Sequence, residues 1–252
     1  MRITFLGTGT SQGVPVINCN CPVCRSGNPK NKRMRCSVMI QTGGQNILID
    51  TSPDMRQQFL SYPFERIDAI LYTHAHADHI FGLDELRRFN YIQKQVIPVF
   101  GNAFTIDRIK RIFGYAFNDG NIIPGIPNVQ ANIIEETFTV NGIIITPIPL
   151  QHGEDIVFGY RIGDFAYCTD VSRIPKESYP ILQNLKVLVI GALREKKHSK
   201  HFSLNEAIAE AEKNQSKKTY FTHISHMLDQ DIHGANLPAD CLFAYDGLSI
   251  EI

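Results

Sequence analysis

The chain carries no net charge, because its 252 residues hold 25 Lys and Arg against 25 Asp and Glu. No global field therefore draws it toward nucleic acid or anionic lipid, and an anionic substrate must be held locally. It also lacks any apolar run approaching the roughly 20 residues that cross a bilayer. The opening "MRITFLGTGTSQG" has one early Arg and a short apolar run broken at Gly7, too little for a secretory core and readable as a strand. These absences make the cytoplasm the expected compartment, with no membrane partner and with thiols kept reduced. Low-complexity tracts and Pro/Ser linkers are missing too, so residues 1–252 are expected to form a single domain.

Cysteine is scarce, with six in the chain, yet Cys19, Cys21 and Cys24 crowd into "NCNCPVC" at 18–24. Three uses stay open for them on residue type alone: a disulfide, a redox or nucleophilic centre, or a soft-metal clip. A reducing compartment argues against the disulfide.

What is present is a sizeable apolar fraction, 43% of residues, enough to bury a core. "RITFLG" predicts a strand, and "CSVMIQT" and "QNILIDTS" predict a hairpin about Gly43 and Gly44. "DAILYTH" is a short apolar run, as in a strand covered on both faces. "ADHIFGLDELRRF" then turns helical, with Ile80, Leu83 and Leu86 in step and Asp78 placed to cap. "VIPVFG", "IIITPIPL", "DFAYCTD", "VLVIGAL" and "KTYFTHIS" predict further strands. Ser203 and Glu206 form a capping box before the Ala-rich helix of "SLNEAIAEAEKN". "LFAYDGLSIEI" predicts two short strands about Asp246 and Gly247. Within 102–140, "FTIDRIKRIFGYAF" is helical and the Pro/Gly-rich remainder is ambiguous. The order implies an α/β fold in which two mixed sheets pack face to face with helices outside.

The chemistry concentrates in "THAHADH", residues 73–79. Residues two apart in an extended segment project the same way, so His74 and His76 can grip one cation. The turn into the helix leaves Asp78 and His79 near the same point but aimed differently, and a second cation fits there. A mixed imidazole and carboxylate shell accepts Zn, Mn, Fe or Ni.

T-H-x-H-x-D-H after an apolar strand resembles the signature of the metallo-β-lactamase superfamily. That resemblance implies a four-layer αββα sandwich with a dinuclear metal site at one edge. It carries His152 in "PIPLQHG", Asp170 in "AYCTDVS" and His223 in "YFTHISH" into the ligand set. It assigns His74, His76 and His152 to one ion and Asp78, His79 and His223 to the other, with Asp170 between them. A water between ions about 3.5–4 Å apart would be largely hydroxide near neutral pH and could act as nucleophile. The superfamily acts on thioesters, lactones, sulfate esters and phosphodiesters, so the fold does not name the substrate.

"FLGTGTSQGVPVINCNCPVC", "RMRCSVMI", "HFSLNEA" and "THISH" are similar to the PhnP branch of cyclic phosphate phosphodiesterases, relatives of tRNase Z. This likeness implies a phosphodiesterase that opens a small ribose cyclic phosphate to a monoester, with His201 as general acid beside the catalytic Asp78. It also makes residues 18–36 a zinc loop, in which Cys19, Cys21, Cys24 and His226 hold a structural Zn and Cys36 is the other available fourth ligand. Cys168 and Cys241 read as buried small hydrophobes. Arg33, Arg35, Lys197 and Lys200 are candidates for binding a second phosphate, and Phe113, Tyr115 and Phe117 for a substrate wall. The expected partner is a small phosphorylated substrate rather than nucleic acid. Dimers are frequent among relatives, so a homodimer is the assembly the likeness implies.

Two alternatives share the scaffold. One is a tRNase Z-like endoribonuclease, against which stand the neutral charge and the lack of a long Gly/Pro/Lys-rich insertion. The other is a PqqB-like non-hydrolytic or oxidative member, against which stand seven filled ligand positions.

Overall fold

In this computed structural model, which describes residues 1–118 and 120–252, the period-2 pattern of the first strands sorts side chains into layers. Ile3 and Phe5 on β1 (Arg2–Gly7), Val38 and Ile40 on β2 (Ser37–Thr42), and Ile47 and Ile49 on β3 (Gln45–Ile49) face the space between two sheets. Their alternates Leu6, Met39 and Leu48 lie in a second apolar layer on the opposite face. A strand covered on both faces must be apolar throughout, which is why these segments show little polar alternation. β2 and β3 meet at Gly43 and Gly44, whose φ angles of 54° and 76° suit a two-residue hairpin turn.

β4 (Ala69–Leu71), β5 (Ile97–Gly101) and β6 (Val129–Ile133) extend this sheet in parallel from β3. β7 (Phe138–Val140), β8 (Ile143–His152), β9 (Asp155–Ile162) and β10 (Phe165–Cys168) run antiparallel in the second sheet. β11 (Val187–Gly191), β12 (Lys218–Thr222) and β13 (Cys241–Phe243) then add in parallel. β14 (Ser249–Glu251) crosses back and pairs with β1. Among the described residues the two sheets are therefore seven-stranded, β14-β1-β2-β3-β4-β5-β6 and β13-β12-β11-β10-β9-β8-β7.

The strands of "LFAYDGLSIEI" form, but not as a hairpin: they belong to different sheets. The reason is Asp246, whose half-buried carboxylate accepts from the Thr8 and Met34 backbone N–H groups and from the Thr8 hydroxyl. Those bonds fasten the connection to the first sheet and carry β14 across.

A short α1 (Pro22–Arg25) lies in the loop after β1. α2 (Met55–Ser61), α4 (Leu86–Gln93) and α5 (Ala103–Ile112) cover the outer face of the first sheet, with Met55, Leu86, Phe89, Ile106 and Ile109 against Leu48 and Ile70. α6 (Leu204–Asn214) covers the second sheet with Ala207 and Ala211, and its Ser203/Glu206 capping box is complete. The architecture is the αββα sandwich.

The helix expected over "ADHIFGLDELRRF" is broken into α3 (Ala77–Ile80), a 3-10 turn at Leu83–Glu85 and α4. Gly82 causes the break: its N–H donates to the Thr51 carbonyl, and a Cβ there would stand 2.1 Å from the Ser52 carbonyl oxygen. Asp78 is not a cap. It lies in the first turn, and the capping position belongs to His76 without a side-chain bond. The ambiguous 102–140 region contributes α5, capped by Asn102, a 3-10 turn at Gly114–Ala116, and strands β6 and β7. Residue 119 lies outside the described residues. No described helix is long and apolar enough to cross a membrane.

Candidate metal centre

The first sheet presents its ligands just past β4. Asp50, directly after β3, is buried and holds a positive φ of 60°. Its carboxylate accepts from the Thr73 N–H and hydroxyl, each at 2.8 Å, and lies 2.7 Å from His79 Nδ1. With Nδ1 engaged by Asp50, Nε2 is the His79 nitrogen that faces the site; although burial opposes it, Asp78, Asp170 and Asp50 hold this imidazole well above its usual range, so a cation bound there would take the place of the Nε2 proton. Asp50 was not singled out from the sequence. The available signal was a carboxylate ending the buried run "NILID" shortly before the histidine motif.

The second sheet supplies the rest from its strand ends. His152 is the last residue of β8, Asp170 follows β10 by two residues, and His223 follows β12. Asp170 and His223 hold φ values of 47° and 56°, a left-handed conformation that non-glycine residues adopt uncommonly and that recurs at functional sites. His152 Nδ1 donates to the Lys200 carbonyl at 2.7 Å, which again aims Nε2 at the site.

Two groups result. His74, His76, His152 and Asp170 bring their donor atoms within 4.8 Å of one another, as do Asp78, His79, Asp170 and His223. Asp170 is shared: Oδ2 lies 3.9 and 4.0 Å from Nε2 of His74 and His152, and Oδ1 lies 3.3 and 3.2 Å from Nε2 of His79 and His223. Burial opposes its ionisation, but His223 and His79 outweigh burial and hold the carboxyl well below its usual range. His79 Nε2 and both ring nitrogens of His223 are buried without hydrogen-bond partners. Buried polar atoms are normally satisfied, and imidazole and carboxylate are the donors a divalent cation takes. The residues present therefore fit a pair of such ions.

Cys19, Cys21, Cys24 and His226 form a third group. Cys19 and Cys21 Sγ each lie 3.3 Å from His226 Nδ1. No cysteine is in a disulfide. Although burial works against it, the Cys24 N–H and then His226 draw the Cys21 thiol down to about 6. A thiolate at neutral pH is what a soft cation needs. Cys36 stands apart, its Sγ 3.3 Å from the Gly9 carbonyl and 3.4 Å from the Thr222 hydroxyl, so the structure brings His226 rather than Cys36 to the cluster. Cys168 and Cys241 are buried in the second sheet's apolar layer.

His201 reaches the centre. Its Nδ1 lies 3.8 Å from Asp170 Oδ2, and its ring stacks on His223 at 4.8 Å. Burial, then His223, push it down to about 3.

The four basic candidates do not line the cavity at the histidines. Arg33 is 3% exposed and spends its guanidinium on Thr8, the Ala244 carbonyl and Gln230. Arg35 pairs with Asp54 at 2.8 Å and, with Lys30 and Lys32, borders a separate cavity of about 550 Å³. Lys197 faces Glu206 at 3.5 Å. Lys200 lends its carbonyl to His152 and lays its side chain over Gly153. Phe113, Tyr115 and Phe117 are absent from that cavity too, and Tyr115 donates to Asp84. The wall is built instead from α5, by Phe104, Thr105 and Arg108, which the sequence did not mark out.

Residues 45–224 match the family described as "Beta-lactamase superfamily domain". Among solved structures, the chain is similar to a new diphosphatase from the PhnP family, with 42% identity and a TM-score of 0.93 over 100% of this chain and 97% of that one. It is 36% identical over 258 residues to an octanoyltransferase of Porphyromonas gingivalis, covering 100% of this chain and 52% of that protein. It is 28% identical over 141 residues to a ribonuclease Z of Bradyrhizobium, covering 53% of this chain and 45% of that protein. The chain spans about half the length of these curated relatives. A family match over most of the sequence, joined to close likeness along the whole chain, means that this chain belongs to the beta-lactamase superfamily and, within it, to the PhnP branch.

Proposed function

We propose that the chain is a metal-dependent phosphodiesterase that opens a small ribose cyclic phosphate to a monoester. The observation that carries this is Asp170, one carboxylate oxygen turned to each of two histidine-rich groups, with His201 beside it. Likeness to a PhnP-family diphosphatase supports phosphoryl chemistry over lactam or thioester hydrolysis.

One divalent ion, Mn or Zn with Fe or Ni as further candidates, would be held by His74, His76 and His152 and another by Asp78, His79 and His223, with Asp170 serving both. Such a pair supplies a hydroxide-strength nucleophile at neutral pH and neutralises charge on the phosphate. Asp50 and the Lys200 carbonyl fix the tautomers of His79 and His152. His201 protonates the departing oxygen. Burial, then His223, depress His201 to about 3, and a substrate phosphate lying against the ring would favour its protonated form. Cys19, Cys21, Cys24 and His226 would hold a structural Zn that ties the N-terminal loop to the segment after His223.

The octanoyltransferase name belongs to a protein of which this chain spans about half. The described cavity has no cysteine in its wall, and burial pushes the nearby Cys36 thiol up to about 12, so the site offers no thiol for acyl transfer. A panel of bis(p-nitrophenyl) phosphate, a ribose cyclic phosphate and pre-tRNA, assayed with metal analysis on the same sample, tests the proposal. Turnover of the cyclic phosphate without cleavage of pre-tRNA is expected. Cleavage of pre-tRNA alone would assign the chain to the ribonuclease activity instead. No hydrolysis of any of the three would leave a PqqB-like role.

A further inference from the structure

The loop between β1 and β2, the end of α2 and the connection into β14 enclose a cavity of about 550 Å³ that shares no lining residue with the one at the histidines. Its walls hold four cationic side chains, Lys30, Lys32, Arg33 and Arg35, against two carboxylates, Asp54 and Asp246, in a chain whose charges otherwise cancel. Both carboxylates are already committed. Asp54 pairs with Arg35 at 2.8 Å, and Asp246 accepts from Thr8 and Met34.

The other three cations form no ion pair among the described residues. Arg33 is the most telling, because it is 3% exposed and a buried charge is normally paired. Its guanidinium donates only to neutral acceptors, the Thr8 hydroxyl, the Ala244 carbonyl and the Gln230 side chain, at 2.6–2.8 Å. Asp246 reaches it only through the Thr8 hydroxyl, which accepts from Arg33 and donates to Asp246.

Lys30 and Lys32 are held in place. Asn28 caps the 3-10 turn at Pro29–Asn31, its side chain accepting from the Lys30 N–H at 2.9 Å and donating to Asp231 at 2.8 Å. The Lys30 ammonium lies 4.4 Å from the centre of the Tyr245 ring, and the Lys32 ammonium donates to the Cys24 carbonyl at 2.9 Å. An ammonium carries several N–H donors, so the Cys24 carbonyl leaves Lys32 with donors to spare. Cations fixed before a ligand arrives cost less to order when it binds. A phosphate monoester carries about −1.5 to −2 near neutral pH and offsets the cationic excess better than a carboxylate does. The volume falls in the roughly 300–1,000 Å³ range of small-molecule sites, and half-buried Tyr62 and Tyr245 offer ring faces to an organic group.

We propose that this cavity is a binding site for a small phosphate monoester, apart from the metal centre. Lys30 and Lys32 bind the phosphate oxygens, Arg33 adds buried positive charge, and Tyr62 and Tyr245 lie against the organic part. The site does not depend on the phosphodiesterase function proposed above.

Calorimetry of the metal-loaded protein with AMP, ribose 5-phosphate and adenosine tests it, while inhibition of bis(p-nitrophenyl) phosphate turnover reports separately on the histidine centre. AMP and ribose 5-phosphate should bind at a site additional to any at the histidines, more weakly as salt is added, and adenosine should not. Lys30→Glu should weaken that binding by about 10–100-fold, the scale of a charged hydrogen bond, and Lys32→Gln should weaken it too. Lys30→Arg should keep most of it. Metal content and any inhibition of turnover should match the parent in all three variants. Binding left unchanged by Lys30→Glu and Lys32→Gln, adenosine binding as tightly as AMP, or no binding beyond the histidine centre overturns the site. None of these outcomes bears on the phosphodiesterase, which the three-substrate panel decides.

Discussion

Asp170 Oδ1 lies 3.2 Å from His223 Nε2 while the other oxygen of the same carboxylate faces His74 and His152. Both residues occupy the left-handed region just past their strands, so the backbone as well as the side chains aims these groups at one another. Asp170→Asn removes one anionic oxygen and places an N–H toward one imidazole set. Turnover should fall at least 100-fold, beyond the roughly 10–100-fold typical of losing a group that only orients a ligand, and metal analysis should show fewer than two ions at the histidines. Full activity with two ions bound would refute the shared-ligand role.

His201 stacks on His223 yet belongs to neither donor group. His201→Ala should keep its full metal content and lose about 10²–10⁴-fold in turnover, the usual contribution of a positioned acid. The loss should be smaller for bis(p-nitrophenyl) phosphate, whose nitrophenolate leaves without a proton. Unchanged turnover of the alkyl substrate would remove His201 from the mechanism.

Cys21→Ser should lower zinc by one per chain and leave the two histidine-bound ions in place at first. Structural zinc contributes folding free energy, so a fall in Tm of roughly 5 °C or more is expected, at about 2–4 °C per kcal/mol for a chain of this size. Cys36→Ser, altering a thiol outside the cluster, should leave zinc content unchanged. Equal metal content in Cys21→Ser and the parent would show that the cysteines hold no ion.

Asp246 sets a pH dependence of stability. Burial pushes its carboxyl up to about 7, against the Met34 and Thr8 donors and Arg33. An unfolded Asp titrates near about 3.9. Between about pH 4 and 7 the native chain therefore keeps a proton that the unfolded chain has released. The stabilisation is complete below about pH 4 and is lost as pH rises toward 7, by at most about 1.4 kcal/mol per unit. Urea unfolding across this range should show a shallower slope in Asp246→Asn, whatever its absolute stability. Parallel slopes in the two proteins would contradict the assignment.

The sequence announced much of this because its signals were local. "THAHADH" places four donors within six residues, the Ser203/Glu206 box lies within one helical turn, and Gly43-Gly44 defines its own turn. What stayed hidden depends on distant partners. β14 lies beside β1 after a connection that Asp246 fastens to Thr8 and Met34. The 77–93 helix breaks because Gly82 must fit under Ser52. Asp50 gains its role from His79, 29 residues away. Arg33 looks like a surface cation in "KNKRMR" and is instead buried against Ala244 and Gln230. Arg108 has no motif around it, and the turn from β5 into α5 is what brings it to the cavity at the histidines.

The ligands divide by layer: His74, His76, Asp78 and His79 hang from the first sheet, and His152, Asp170 and His223 from the second. Ions gripped by both sets would rivet the two halves of the sandwich at one edge. Their binding free energy would then also be cohesion between the sheets, coupling the resistance of the whole fold to metal supply.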